Sequence, residues 1–425
     1  MRITVSLFAL VLFVSTYFIY SQSRVIQSTD ASWALPTAVS IVRDGDLYLG
    51  EFKELIQAKK RYGIQRVRDE GRRKAVNLFP YGTSLLVLPV VYIVETFPET
   101  LPYILWNTRE GLKTGVPPDI MEVRLRAERA LASLIVSLSL VLLFLIGLEF
   151  LKPSESFALA FSFAFGTGMW STASRGLWQH GPVILMVSLA LYLLIRKEKY
   201  AGSSGLPLAF GYLIRPTTLL FWGLSALYLW VKERKALVLF VIFSILIGLL
   251  FVVINLDVYG KVTNVRYYKP GRLAYHPDFF QAFFANLFSP NRGVLFQSPF
   301  LLLSLFTLPL FKKKELVPLL LLSWGAISAH VIATSLFPNW WHGHSFGSRY
   351  MADILPLFFV LIALVFANFS SKSLKICFVP LVLFSVFVHY QGANNRMTYG
   401  WNTTPVNIDE APERVWSLSD WQPLR

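Results

Sequence analysis

Apolar residues along this chain fall in long, nearly unbroken runs, not at the three- and four-residue spacing of an amphipathic helix. A helix needs about 20 mostly apolar residues to cross the hydrocarbon of a bilayer. Residues 3–20, 128–150, 154–172, 236–255, 315–336, 351–368 and 373–390 read as such spans, apolar nearly all round. Residues 181–195 and 298–311 are slightly short, and the run 205–231 is interrupted by Arg215 and Pro216, which makes it two helices. The pattern predicts an all-α integral membrane protein with about 11 transmembrane helices. The first run is longer than the roughly 7–15 residues of a signal-peptide core, so it reads as an uncleaved anchor.

Composition agrees. Of 425 residues, 54% are hydrophobic and 15% charged, and the mean hydropathy is +0.51, a balance that soluble globular chains do not reach. Cys377 is the only cysteine, so no disulfide forms within the chain.

Charge orients the spans. Five short connections are basic, carrying Lys152; Arg196, Lys197 and Lys199; Lys232, Arg234 and Lys235; Lys312, Lys313 and Lys314; and Lys372 and Lys375. The positive-inside rule makes these cytoplasmic. The alternating connections 166–182 and 337–350, rich in Trp, His and Gly, then face outward. With the amino terminus inside, residues 21–127 form a long outer loop containing juxtamembrane amphipathic helices, and 78–97 is a juxtamembrane or re-entrant piece. Residues 1–390 make a polytopic membrane domain and 391–425 a short extracytoplasmic tail, whose Trp401, Trp416 and Trp421 either pack on the outer face or stack on carbohydrate. Lys59, Lys60, Arg61, Arg66, Arg68, Arg72, Arg73 and Lys74 crowd the middle of the outer loop, facing either anionic headgroups or an anionic substrate. The net charge of +15 does not indicate nucleic acid, because the basic residues are spread over membrane loops without a recognition motif. No internal repeat is visible, which counts against a transporter built from two related halves.

The candidate chemistry lies in the outer loops. Asp30, in Ser28-Thr29-Asp30-Ala31-Ser32-Trp33, stands ahead of an amphipathic stretch ending at Val42. Desolvation beside a Trp at a membrane surface raises a carboxylate's pKa, which suits a general base; the competing reading is a helix N-cap. A second cluster runs from Phe165-Gly166-Thr167-Gly168-Met169-Trp170 to Arg175, Trp178, Gln179 and His180. A third is Phe288-Ser289-Pro290-Asn291-Arg292-Gly293, and a fourth runs from Trp340 through His342 and His344 to Gly347, Ser348, Arg349 and Tyr350. Arg215 is costly in lipid and so faces a cavity or an anion. Arg215, Arg292 and Arg349 suit phosphate because the guanidinium fork donates two hydrogen bonds at once, and His180 stands beside them as a further site residue. His342 and His344 lack the further ligands that zinc needs. Asp44 and Asp46 read as turn formers, and the pattern requires no cofactor.

The order of these motifs resembles the GT-C glycosyltransferases, in particular their protein-mannosyltransferase and aminoarabinose-transferase-like branch (family 39-like). The resemblance rests on Asp30 with Gly45-Asp46-Leu47, Phe79-Pro80-Tyr81-Gly82-Thr83, Gly166-Thr167 to His180, Arg215-Pro216-Thr217, Ser289-Pro290 to Gly293, and Gly347 to Tyr350. It implies inverting transfer of a sugar from a polyprenyl-phosphate carrier to a glycan, lipid or protein acceptor at the extracytoplasmic face, in a plasma or bacterial inner membrane. Asp30 then takes the place of the family's first-loop catalytic carboxylate. Protein mannosyltransferases carry adjacent acidic residues there, whereas Ala31 follows Asp30, which sets protein O-mannosylation apart. A flippase or transporter of a lipid-linked sugar is the alternative; it needs the same cations but not the carboxylate beside the first span.

Overall fold

The computed structural model describes residues 2–25, 30–69, 72–97, 120–196, 198–264, 266–268, 273–369 and 371–425; Ser28, Thr29, Lys197, Ser370 and residues 98–119 of the outer loop lie outside the described residues. Among the described residues six helices are long and apolar enough to cross a membrane: Ile3–Gln22, Arg124–Gly147, Arg234–Tyr259, Val317–Ser335, Arg349–Asn368 and Lys372–Asn394. They are compatible with an all-α, multi-pass membrane protein.

Shorter apolar elements fill the places between. Pro216 forces its neighbour Arg215 into extended backbone, φ −152° and ψ 125°, and so splits the predicted run into the helices Gly205–Ile214 and Thr218–Lys232. The first of these packs closely on Arg234–Tyr259: a Cβ on Gly205 would lie 2.2 Å from the Phe240 carbonyl oxygen, so only glycine allows the approach. Residues Pro299–Lys312 wind as a 3₁₀-helix. At roughly 2.0 Å per residue that winding reaches about 28 Å, so a run too short for an α-helical crossing is almost as long as the hydrocarbon is thick.

Three expectations change. Residues 154–172 are not one helix: Pro153–Phe165 stops at Gly166, and Met169–Ala173 makes a π-helical turn. The helix expected over 128–150 begins earlier and spans Ile120–Gly147, its added turns carrying Arg124 and Arg126, which a hydropathy window excludes. The basic stretch of the loop after the first helix, where only helices were expected, adds one small sheet to the otherwise helical fold. Strands Ile64–Asp69 and Arg72–Asn77 pair as an antiparallel hairpin, in which Gln65, Val67 and Val76 are buried while Arg66, Arg68 and Arg73 are exposed. That alternation is the period-two signature of a half-buried strand, which the density of positive charge obscured.

The described part of the loop after the first helix is seated by two helices. Ala34, Leu35 and Ala38 of Ala34–Arg43 and Val87, Val91 and Val94 of Gly82–Thr96 form one core with Ala127, Leu131 and Ile135 of the long helix and with Leu177 and Trp178. This packing brings the turn that begins at Asp30 against the loop that ends at His180. Gly82 closes the arrangement, since a Cβ there would sit 2.5 Å from the Leu213 and Ile214 backbone, beside the Arg215 corner. Asp44 and Asp46 flank a turn with Gly45 at φ +73°, and Asp46 Oδ1 accepts from the Tyr48 amide at 2.9 Å. The tail folds back on the body: Trp401, Ile408 and Val415 form a core with Ala282, Ala285 and Trp340, and Trp421 stacks on Phe384 at 6.0 Å.

Candidate functional site

Four of the five singled-out residues converge. Arg349 opens the turn that leads into the helix Leu355–Asn368, and its Nη2 donates to Asp30 Oδ2 at 2.6 Å across 319 positions of sequence. Its Nε donates to His180 Nε2 at 3.2 Å, and its guanidinium lies 4.0 Å over the Trp178 ring. Arg215 Nη1 lies 2.8 Å from both ring nitrogens of His180. Behind them Asp353 Oδ1 is 2.7 Å from His180 Nδ1, and its Oδ2 is 3.4 Å from Arg215 Nε. Since Nε2 accepts from Arg349, Nδ1 is the ring nitrogen placed to donate to Asp353, which assigns the tautomer from the network.

The charge state of Asp30 differs from expectation. The residue is neither an N-cap nor a carboxylate with a raised pKa. Trp33 occupies the N-cap position of Ala34–Arg43 without a side-chain cap bond. Burial does push the Asp30 carboxyl up, but the Arg349 guanidinium, the hydrogen bonds from Tyr62 and Arg349, and His180 together outweigh it and hold the pKa below the usual carboxylate value. Tyr62 donates to Asp30 Oδ1 at 2.6 Å; burial first, and then the Asp30 charge and this bond, push its phenol up. Trp33 touches the arrangement indirectly, donating from Nε1 to the Tyr62 carbonyl at 2.7 Å.

Asp30, Arg215 and Arg349 line a cavity of about 630 Å³. Its remaining lining is mixed. Tyr212, Leu220, Ala333 and Phe337 are among its apolar walls, and Leu219 and Leu273, each more than half exposed, carry it to the protein surface. Gln179, Thr217 and Tyr268 also line it, and Gln179 Nε2, Thr217 Oγ1 and Tyr268 Oη are buried with no hydrogen-bond partner among the described residues. A buried polar atom without a partner is costly unless a ligand or water meets it. The site thus pairs hydrogen-bonding groups and two guanidiniums with an apolar exit, the complement of an amphipathic anion.

Arg292 is placed elsewhere. It is fully buried, and its nitrogens are committed: Nε to the Trp341 carbonyl at 2.7 Å, Nη1 to the Asn291 carbonyl and Gln422 Oε1, and Nη2 to Asn402 Oδ1 at 2.9 Å and the Gly343 carbonyl at 3.5 Å. No donor is left for phosphate. Burial, then repulsion from Arg414, pushes its pKa down to about 9. Arg292 is the clasp of the tail, and Arg292→Met is expected to free it, since each acceptor left unpaired in a buried position costs about 1–3 kcal/mol. Limited proteolysis checks this: cleavage within 395–425 should be faster in the variant than in wild type. The two histidines of the fourth cluster also go separate ways. His342 Nε2 meets Asn286 Oδ1 at 2.6 Å, whereas His344 Nε2 meets Asn407 Oδ1 at 2.9 Å.

Sequence reasoning missed Asp353 and Tyr62. Asp353 had a signal: a lone carboxylate at the head of an apolar run, four residues after Arg349, is the kind of intramembrane charge that marks a site. Tyr62 had none, because only the fold brings it to Asp30. The chain matches no protein-family model, no curated protein and no solved structure.

Proposed function

We propose that this protein is an inverting glycosyltransferase that moves a sugar from a polyprenyl-phosphate donor to an acceptor at the extracytoplasmic face of a plasma or bacterial inner membrane. The reading includes a GT-C-like arrangement of eleven spans, with the amino terminus in the cytoplasm and the tail outside. One observation carries it: a carboxylate and two guanidiniums from three distant segments, Asp30, Arg215 and Arg349, line a single cavity that has an apolar way out.

In this mechanism the donor's polyprenyl chain leaves along Leu219, Leu220 and Leu273, and its phosphate lies against Arg215 and Arg349. The phosphate competes with Asp30 for the Arg349 guanidinium, so donor binding releases Asp30 Oδ2. Asp30 then accepts the proton of the acceptor hydroxyl or amine as that group attacks C1 of the sugar. The C1–O bond to phosphate breaks with inversion, and the electron pair leaves on the phosphate, where the guanidiniums stabilise it. His180 and Asp353 act through the arginines, holding both forks toward the cavity.

The test is transfer of radiolabelled sugar from a panel of polyprenyl-phosphate sugars by the purified protein in liposomes, with crude envelope glycan as acceptor. Incorporation into the acceptor is expected. Labelled donor appearing across the bilayer without incorporation would overturn the enzyme reading in favour of a flippase. Arg349→Ala is expected to weaken donor binding about 10- to 100-fold, the equivalent of losing a charged hydrogen bond. Unchanged donor affinity in a titration would remove Arg349 from the phosphate site.

A further inference from the structure

The basic hairpin of the outer loop takes no part in that chemistry. Opposite residues of an antiparallel pair share a face, so the register Arg66↔Ala75 and Arg68↔Arg73 puts Arg66, Arg68 and Arg73 on one side. All three are exposed, and among the described residues no ion pair engages them. Arg68 and Arg73 stand directly across from each other, and like charges so placed destabilise a hairpin unless an anion lies between them. The opposite face supplies the seat. Val67 and Val76 pack with Tyr81 against Val258, with Ile254 and Tyr259 alongside, all on the last two turns of Arg234–Tyr259.

That helix identifies what lies next to the hairpin. Leu246, Leu249, Val253 and Leu256 form a row along it at helical spacing, and each is between 48% and 61% exposed. A helix this apolar and this uncovered needs lipid as its solvent, and the row runs as far as Leu256, on the same last two turns that seat the hairpin. The same outer unit also exposes Tyr92, Ile93 and Phe97, side chains that favour the membrane–water boundary. The three guanidiniums therefore stand at headgroup level.

We infer that the Arg66–Arg68–Arg73 face is a docking surface for anionic lipid headgroups and fixes the outer loop to the membrane surface. Its ligand is the phosphate of an anionic phospholipid, which a guanidinium fork recognises bidentately. The inference stands apart from the glycosyltransferase reading and is tested without activity.

The test uses the lone cysteine. A nitroxide is placed on Ala75, the half-buried neutral residue of the arginine face, as A75C in a C377S background, and the full chain is reconstituted in nanodiscs. Discs of phosphatidylcholine alone are compared with discs in which a third of the lipid is phosphatidylglycerol. Collision of the nitroxide with a water-soluble nickel chelate is expected to fall at least twofold in the anionic discs. The difference should vanish in R66Q/R68Q/R73Q and persist in Arg72→Gln on the opposite face. Equal accessibility in both discs overturns the inference. So does protection that appears only when soluble poly(glycerol phosphate) is added, which would assign the face to an anionic polymer. An unchanged label in the tail, at A411C, shows that the triple variant is folded, so loss of the difference reports the arginines.

Discussion

In the proposed reaction, Asp30→Asn should abolish sugar transfer while leaving the protein folded and able to bind donor. The substitution keeps the shape of the side chain but leaves one acceptor oxygen where Asp30 uses two, Oδ1 toward Tyr62 and Oδ2 toward Arg349, and it removes the site that takes up a proton. General-base catalysis is worth roughly a hundred- to ten-thousandfold, so a loss of that size in single-turnover transfer, with donor affinity changed much less, is the expected result. The pH profile gives an independent reading. Because Arg349 and Tyr62 hold the Asp30 pKa below the ordinary value, the carboxylate of the free enzyme is ionised throughout the neutral range. The acid limb of kcat/KM then lies below the usual aspartate value of about 3.9. Arg349→Ala removes the principal stabiliser of the anion, so it moves that limb to higher pH. Transfer at the wild-type rate by the Asp30→Asn variant would exclude Asp30 as the base.

The second large effect concerns stability. Asp353 is fully buried against His180 and Arg215, and among the described residues no other acid side chain forms an ion pair with Arg215. Removing one member of a buried ion pair costs about 3–5 kcal/mol, mainly because the remaining charge is left without compensation. Asp353→Asn should therefore lower the melting temperature in detergent markedly. Arg215→Met in the same chain should restore part of the loss, because it takes away the uncompensated cation. If the two substitutions are simply additive, the pair contributes no coupling and Asp353 is held in place by His180 and His330. Donor binding should weaken in the single variant as well, since Arg215 loses the partner that aims it.

Much of this fold could be read from the chain. The break at Arg215-Pro216 is a local steric consequence of proline, and the long apolar runs follow from composition. What escaped is what depends on non-local packing. The bend at Gly166 and the π-turn after it conserve hydropathy while changing direction, so a window of apolar residues passes straight through them. The hairpin was hidden because its exposed positions are all arginine, which reads as a solvated stretch. The site divided in the same way. Asp30, Arg215, Arg349 and His180 were visible as polar groups where lipid discourages them, and they meet. Arg292 carries the same sequence signal, but its five donors are consumed by carbonyl and amide oxygens that sequence proximity cannot reveal. Burial cost alone indicates that an arginine has partners and says nothing of whether they belong to the protein or to a ligand.

The Arg292 clasp also imposes an order on biosynthesis. Gln422, which accepts from Arg292 and donates through Nε2 to the carbonyls of Ser345 and Thr398, is synthesised 130 residues later. Until the ribosome has made that residue, after the long helices Val317–Ser335, Arg349–Asn368 and Lys372–Asn394, Arg292 and the 340–347 loop hold each other through the Trp341 and Gly343 carbonyls but lack the side chain that ties both to the tail. This end of the protein is therefore closed only after its long helices have been translated.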